Sequence, residues 1–265
     1  MSYDELFIRN QGILSVVEQE KLRRARLLIV GCGGVGGTVA LALARSGLET
    51  FTLVDFDTYS PSNINRQMGS AHSTLGRYKS DVLGEQIMDI NPQARVTSFT
   101  RKLSHAELKP HLEQCNLVFA AADDYAFSLV LIRHAQKLGR PALLVLPSGL
   151  WSLVSIVLPE SPAVERLFHL PTGLGYKMLY KILNSKPFLS QFKALSKEGG
   201  WQPDYFTAYV EGQVPVTQIC PFVWLSASLG ALEAVKHLSG KMAATTFPNY
   251  WKLTASGINL ETITV

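Results

Sequence analysis

The sequence predicts an α/β protein, with a mainly parallel sheet, helices on both faces and an antiparallel extension. Three observations lead there. Runs of branched apolar residues such as Leu27-Leu28-Ile29-Val30 alternate with longer segments of helical spacing, the pattern of parallel strands buried on both faces. The first run ends in Gly31, Gly33, Gly34 and Gly36, with Val39, Leu43 and Ala44 at helical spacing beyond them, so a tight turn joins a strand to a helix N-terminus. The second run, 50–54, ends in Asp55-Phe56-Asp57. Asp55 stands roughly 20 residues past the first glycine, where a dinucleotide-binding turn places an acid against a ribose hydroxyl. The expected fold is therefore Rossmann-like.

The elements follow in order. Residues 5–25 read as one or two helices marked by Leu6, Ile8, Ile13, Leu14 and Val17, with Arg9 among them. After the glycine turn a helix runs to about Ser46 and stops at Gly47, a suitable cap. Residues 60–67, Ser-Pro-Ser-Asn-Ile-Asn-Arg-Gln, form a polar loop in the position of a crossover. Tyr78-Lys79-Ser80 opens a helix with Val82, Leu83, Gln86, Ile87 and Ile90 on one face, closed by Asn91-Pro92. Residues 95–99 read as a strand, 104–114 as a helix, and 117–121 as a buried strand that delivers Asp123-Asp124. A helix through about Leu138, a strand at 141–145 and an antiparallel strand at 153–158 follow.

From 160 to 213 the pattern degrades. Lys177, Lys181, Lys186, Lys193 and Lys197 are interleaved with aromatics, which reads as a solvated helical insertion or a cap. Order returns at Pro221, where Phe222, Leu225, Leu229, Leu232 and Val235 form a helical stripe. Beside it, Ser226, Ala227, Ser228, Gly230 and Ala231 permit close packing on the sheet or on a second subunit. One domain is expected, with a helical arm at 1–25, a nucleotide-binding core at 26–158, a variable insertion at 160–214 and a C-terminal helix and tail at 215–265.

Composition narrows the function. With 265 residues, 47% hydrophobic and 17% charged, the chain can bury a full core. A net charge of +4 without a dense Lys/Arg run tolerates an anionic ligand but is no nucleic-acid signature. Cys32, Cys115 and Cys220 are too scattered for a disulfide framework, and with no Cys-x-x-Cys pair no zinc is expected. The start has no signal-peptide character and no apolar run reaches about 18 residues, so a cytoplasmic protein without membrane contact is expected. The six histidines show no metal spacing.

In an open parallel sheet, ligands bind outside the carboxyl ends of the strands. Here those ends carry the glycines, Asp55 and Asp123, with Asn63, Arg66 and Lys79 in the crossover between. Free N–H groups and the positive end of the helix make the glycine turn an anion site. The glycines and Asp55 would also serve a dehydrogenase, but that enzyme has no evident use for Arg66 and Lys79 together. Two cations and an amide aimed at a triphosphate suit chemistry in which charge builds on phosphorus-bound oxygens. An acid opposite them can hold magnesium on the phosphates. The assembly reads as an ATP site that activates something. Asp57 either caps its turn or touches the ligand. Lys79 opposes the dipole of its own helix, which an anion nearby would explain.

These residues resemble the ThiF/MoeB/HesA family, bacterial relatives of the ubiquitin-activating enzymes. The motifs are Gly31-x-Gly33-Gly34-x-Gly36, Asp55-Phe56-Asp57, Asn63-x-x-Arg66-Gln67, Gly76-x-x-Lys79, Asn91-Pro92 and Ala122-Asp123-Asp124. The resemblance implies a homodimer that binds ATP and Mg²⁺ and adenylates the C-terminal carboxylate of a small ubiquitin-like sulfur carrier protein or a peptide. It implies that Asp55 holds the ribose, that Gly33 and Gly34 let the nucleotide lie close, and that Asn63, Arg66 and Lys79 contact the phosphates. Asp123 rather than Asp124 would position the metal, and Arg9 would reach the site of the partner subunit. A branch that cyclises a threonylcarbamoyl group on tRNA is similarly short and gives a second reading. A nucleotide-binding partner without catalysis is a third. The chain departs from its relatives at Gln213, near the place of a reactive cysteine, and at Ser128, where they often carry arginine. Adenylation without a covalent thioester step is the expectation.

Overall fold

The computed structural model describes residues 2–263. Its single sheet contains β1 (Arg26–Val30), β2 (Thr50–Val54), β3 (Arg95–Phe99), β4 (Leu117–Ala120), β5 (Ala142–Ser148), β6 (Trp151–Val157), β7 (Asn249–Thr254) and β8 (Gly257–Thr262), in the spatial order β3-β2-β1-β4-β5-β6-β7-β8. The pairs from β3 to β5 are parallel, and those from β5 to β8 antiparallel. The mainly parallel, Rossmann-like sheet with an antiparallel extension is thus the observed architecture. Order reverses between β1 and β4, which opens the crevice where ligands bind in such sheets.

Helices cover both faces. They are α1 (Tyr3–Phe7), α2 (Val16–Arg24), α3 (Gly34–Arg45), α4 (Lys79–Ile90), α5 (His105–Gln114) and α6 (Tyr125–Lys137), followed by α7 (Tyr176–Leu183), α8 (Lys186–Ser190), α9 (Lys193–Glu198), α10 (Pro203–Val210) and α11 (Cys220–Ser239). Side chains alternate across each strand, so β1 feeds two cores. Leu27 and Ile29 join Val39, Leu43, Leu83 and Ala227 beneath α3, α4 and α11. Leu28 and Val30 join Leu108, Leu129 and Leu179 beneath α5, α6 and α7. This double burial is why Leu27–Val30 of β1 is an unbroken apolar run.

The face that α11 turns to the sheet is the expected small-residue one, and the C-terminal part carries further strands. On α11 the leucine stripe does not all face inward: Leu225 and Leu232 are exposed, whereas Ser226, Ala227, Gly230 and Ala231 are buried. A Cβ on Gly230 would lie 2.7 Å from Val145 Cγ2, so the small face is what lets the helix lie on the sheet. The C-terminal tail, to which the sequence pattern assigns no strand, contains the β7–β8 hairpin that extends the sheet. Between β6 and α11 the chain forms a 3₁₀ turn at Val164–Phe168 and the four short helices α7–α10. Among the described residues no helix is long and apolar enough to cross a membrane.

Candidate active site

The glycine turn divides into two kinds of glycine. Gly31 has φ +101° and donates its N–H to Val54 O at 2.9 Å; a Cβ there would stand 2.5 Å from Ala121 backbone atoms. A Cβ on Gly36 would fall 1.9 Å from Gly31 O. Both are required by the chain's own packing. Gly33 and Gly34 are instead partly exposed; a Cβ on Gly33 would meet nothing nearer than Gln67 Nε2 at 3.5 Å, and one on Gly34 would stand 3.1 Å from Val223 Cγ1. Gly33 is the N-cap of α3 and offers no side chain, so the first-turn N–H groups are left for a ligand. They open on a cavity of about 410 Å³ at the carboxyl end of β1 and β4, lined by Gly31, Gly33 and Gly34 but not by Gly36.

Asp55 leaves β2 into the same cavity, with a relative exposure of 8%. Its Oδ2 accepts from Cys32 N at 2.6 Å and its Oδ1 from Asp57 N at 2.9 Å, so the glycine turn itself orients the acid. Burial raises its pKa above the ordinary aspartate range, and the two backbone N–H bonds partly offset that rise.

Lys79 begins α4, is buried, and places Nζ 3.3 Å from Asp57 Oδ2. Arg66 donates Nη1 to Ser62 O at 3.1 Å and Asn65 Oδ1 at 2.8 Å, and among the described residues it has no carboxylate partner. Trp224 on α11 donates Nε1 to Arg66 O at 3.0 Å and so fastens the loop. Both cations and Asp57 line the cavity. Asn63 does not: it is buried, and its Oδ1 accepts from Ser60 N at 3.0 Å, shaping the loop that carries Arg66.

The two acids after β4 are unequal. Asp124 caps α6 by accepting from Phe127 N at 3.0 Å, and its other oxygen accepts from Tyr176 OH at 2.8 Å. That bond pushes the Tyr176 phenol up to about 12. Asp123 is exposed, lines the cavity and has no hydrogen-bond partner among the described residues. Arg9 lies on an exposed 3₁₀ turn of the N-terminal arm. The arm is tied down by Tyr3 OH on Gly47 O and Asn10 Nδ2 on Ser46 O, at the end of the sheet opposite the cavity. Arg9 is therefore not part of its own chain's site.

The ThiF family model matches residues 7–265. The chain belongs to the ThiF family. It is 34% identical over 118 residues to a tRNA threonylcarbamoyladenosine dehydratase of Haemophilus influenzae, covering 44% of this chain and 45% of that one. It is 32% identical over 169 residues to a probable adenylyltransferase/sulfurtransferase MoeZ of Mycobacterium tuberculosis, covering 63% and 41%. Each match takes in less than half of the relative's length. A crystal structure of Escherichia coli MccB with MccA-N7isoASN superposes with a TM-score of 0.74 over 99% of this chain and 72% of that one, at 16% identity, a likeness of fold.

Sequence reasoning missed part of this ThiF-family cavity. Lys102 lies 4.4 Å over the Phe56 ring, and both line the cavity with Leu103, Leu108 and Phe127, an apolar slot beside Asp55. Phe56 was visible inside Asp55-Phe56-Asp57, but nothing local marks Lys102. Tyr176 reaches the rim from the region whose periodicity had degraded, and Gln218 from the segment before α11.

Proposed function

We propose that this chain is an ATP-dependent adenylyltransferase that converts a carboxylate into an acyl-adenylate. The observation that carries the reading is the convergence of Arg66, Lys79, the open α3 N-terminus and unpartnered Asp123 on one cavity. The apolar slot suits an adenine base and Asp55 a ribose. The phosphates then lie over Gly33 and Gly34, between the cations and Asp123. A carboxylate oxygen bonds to the α-phosphorus, the bond from that phosphorus to the bridging oxygen breaks, and pyrophosphate leaves with the electron pair. Attack brings two anions together, so charge must be offset where it accumulates. Arg66 has only neutral acceptors to leave, and Lys79 only one half-exposed carboxylate.

Among the described residues no group of three or more His, Cys, Asp or Glu side chains is placed to hold a metal. A magnesium ion would therefore come in with the phosphates and lean on Asp123, the usual manner of a cation that keeps most of its water. Bound there, it would neutralise triphosphate charge. The acceptor we favour is the C-terminus of a small ubiquitin-like carrier protein or a peptide. A homodimer is part of the proposal, because Arg9 can serve only a neighbouring subunit's cavity.

A second reading, modification of a threonylcarbamoyl carboxylate on tRNA, is favoured by the Haemophilus relative. Lys177, Lys181, Lys193 and Lys197, exposed and without an ion pair among the described residues, give it a surface. ATP–pyrophosphate exchange tests the main reading: with carrier or peptide acceptors the wild type exchanges, and Arg66→Ala loses about 100- to 1000-fold in rate with little change in ATP affinity. Exchange that depends on tRNA, with binding that weakens steeply with salt, would move the assignment to the second.

A further inference from the structure

A second, smaller recess adjoins the nucleotide cavity. It measures about 60 Å³ and shares Val35, Ala121, Ala122, Asp123 and Gln218 with its larger neighbour. Leu144 and Val145 of β5 floor it, Leu129 and Ile132 of α6 wall it, and Phe168 from the 3₁₀ turn closes it. Ser128 donates its hydroxyl to Ala122 O at 3.3 Å, and Tyr125 and Gln218 are the other polar residues on an otherwise apolar lining. The one charged side chain on its boundary is Asp123, at the shared wall. A space of this size is several times what one water needs, and well below the roughly 150 Å³ that admits a benzene ring.

The order of features along the sheet gives the recess a direction. Passing from β2 through β1 and β4 to β5, one meets the ribose acid, the glycine cradle, the open acid Asp123 and then the recess. A carboxylate approaching the α-phosphorus from the β5 side, opposite the base, carries its own substituents over this hollow.

We propose that the recess receives the side chain of the residue whose carboxylate is activated, so that the acceptor ends in a small apolar residue such as alanine or valine rather than glycine. The inference rests on the adenylation reading and adds a specificity to it. Phe168 gives the 160–214 segment a part in choosing the acceptor. Arg133 of α6 fixes that wall by pairing with buried Glu165 and donating to Leu174 O at 2.9 Å.

The test uses sulfamoyl adenosines, non-hydrolysable mimics of the acyl-adenylate, bearing N-acetylated glycyl, alanyl, valyl, threonyl and phenylalanyl groups. Their affinities for the full chain are measured by calorimetry, with ATP as a separate arm. Each carbon buried in the recess is worth about 4-fold, so alanyl should bind about 4-fold tighter than glycyl and valyl more than 10-fold. Phenylalanyl, too large, should bind no better than glycyl. Ser128→Leu, which fills the hollow, should erase the preference, and Phe168→Ala should admit the phenylalanyl compound. The melting shift given by ATP, read on the same samples, separates a lost preference from a lost fold. Glycyl equal to or tighter than alanyl and valyl in the wild type overturns the proposal, as does threonyl tighter than valyl, which would mean a hydroxyl is read. If ATP binds and none of the mimics does, the acyl-adenylate reading itself falls and takes the proposal with it.

Discussion

The β2–β1–β4 side of the site and the β5 side are built by different means. On the first, backbone groups do much of the holding: Cys32 N and Asp57 N fix Asp55, and Ser62 O holds Arg66, while the Asp57–Lys79 pair is the side-chain contact among them. On the second, residues far apart are brought together by side chains, as Arg133 to Glu165 and Leu174, and Tyr176 to Asp124. The first kind of construction leaves no slack, because a displaced glycine displaces the acid it orients. The second can be altered one wall at a time, which suits a surface that selects a partner.

The sharpest break in that contrast comes from the glycines. Gly36→Ala would force a Cβ to 1.9 Å from Gly31 O, beyond the ~1–3 kcal/mol of ordinary overpacking, and should give an unfolded or strongly destabilised protein by calorimetry. Gly33→Ala, whose Cβ would meet only the Gln67 side chain at ordinary contact distance, should melt normally and lose ATP binding instead. Similar melting of the two variants would remove the distinction between packing and ligand glycines.

On the opposite side, Arg133→Ala leaves Glu165 buried and unpaired, a loss of about 3–5 kcal/mol. If the second side is separable, limited proteolysis should cut first within 160–214 while ATP still raises the melting temperature. Global unfolding without such local cutting would join the two sides.

Acid should act through Asp55. Its pKa is raised in the folded protein, chiefly by burial. Between the ordinary aspartate value and that raised value the folded state holds the extra proton, so this group's contribution to stability falls as pH rises through the window. Ribose binding needs the ionised acid, so ATP affinity should move oppositely and fall as pH drops through the same window. The difference between wild-type and Asp55→Asn binding profiles isolates it, since nucleotide titration is common to both. Identical profiles would remove Asp55 from the ribose site. The smallest effect is expected from Tyr176→Phe, which removes one partly exposed hydrogen bond worth at most about 1 kcal/mol and should speed nucleotide release by no more than about 5-fold.

The same contrast explains what could be read in advance. β2 was legible because Thr50–Val54 is closed by Asp55-Phe56-Asp57, and β1 because burial on both faces leaves no polar position from Leu27 to Val30. The cavity's glycines, acids and cations lie in local motifs, so their convergence was legible as well. The β7–β8 hairpin was not: β8 is an outer strand on which only Glu261 is even partly buried, and burial is the signal that marks strands. On α11 the run of small residues was legible as a packing face, and Gly230 and Ala231 do lie against the sheet, while Leu225 and Leu232 of the leucine stripe are exposed. Lys102 and Tyr176 reach the cavity through tertiary packing alone, and Asn63 shows that a motif residue can serve its loop rather than the cavity.

Lys79 carries one more consequence. A cation in the first turn of α4 stands in the positive field of its own helix, faced by the positive end of α3, with Asp57 as its half-exposed counterweight. Any polyanion that enters relieves this repulsion, so a nucleotide bound as proposed would act as structural cement as well as reactant. At a hundred times its dissociation constant it would add about 2.7 kcal/mol to the resistance of the chain to unfolding. Cells starved of energy would then hold a softer protein as well as an idle one.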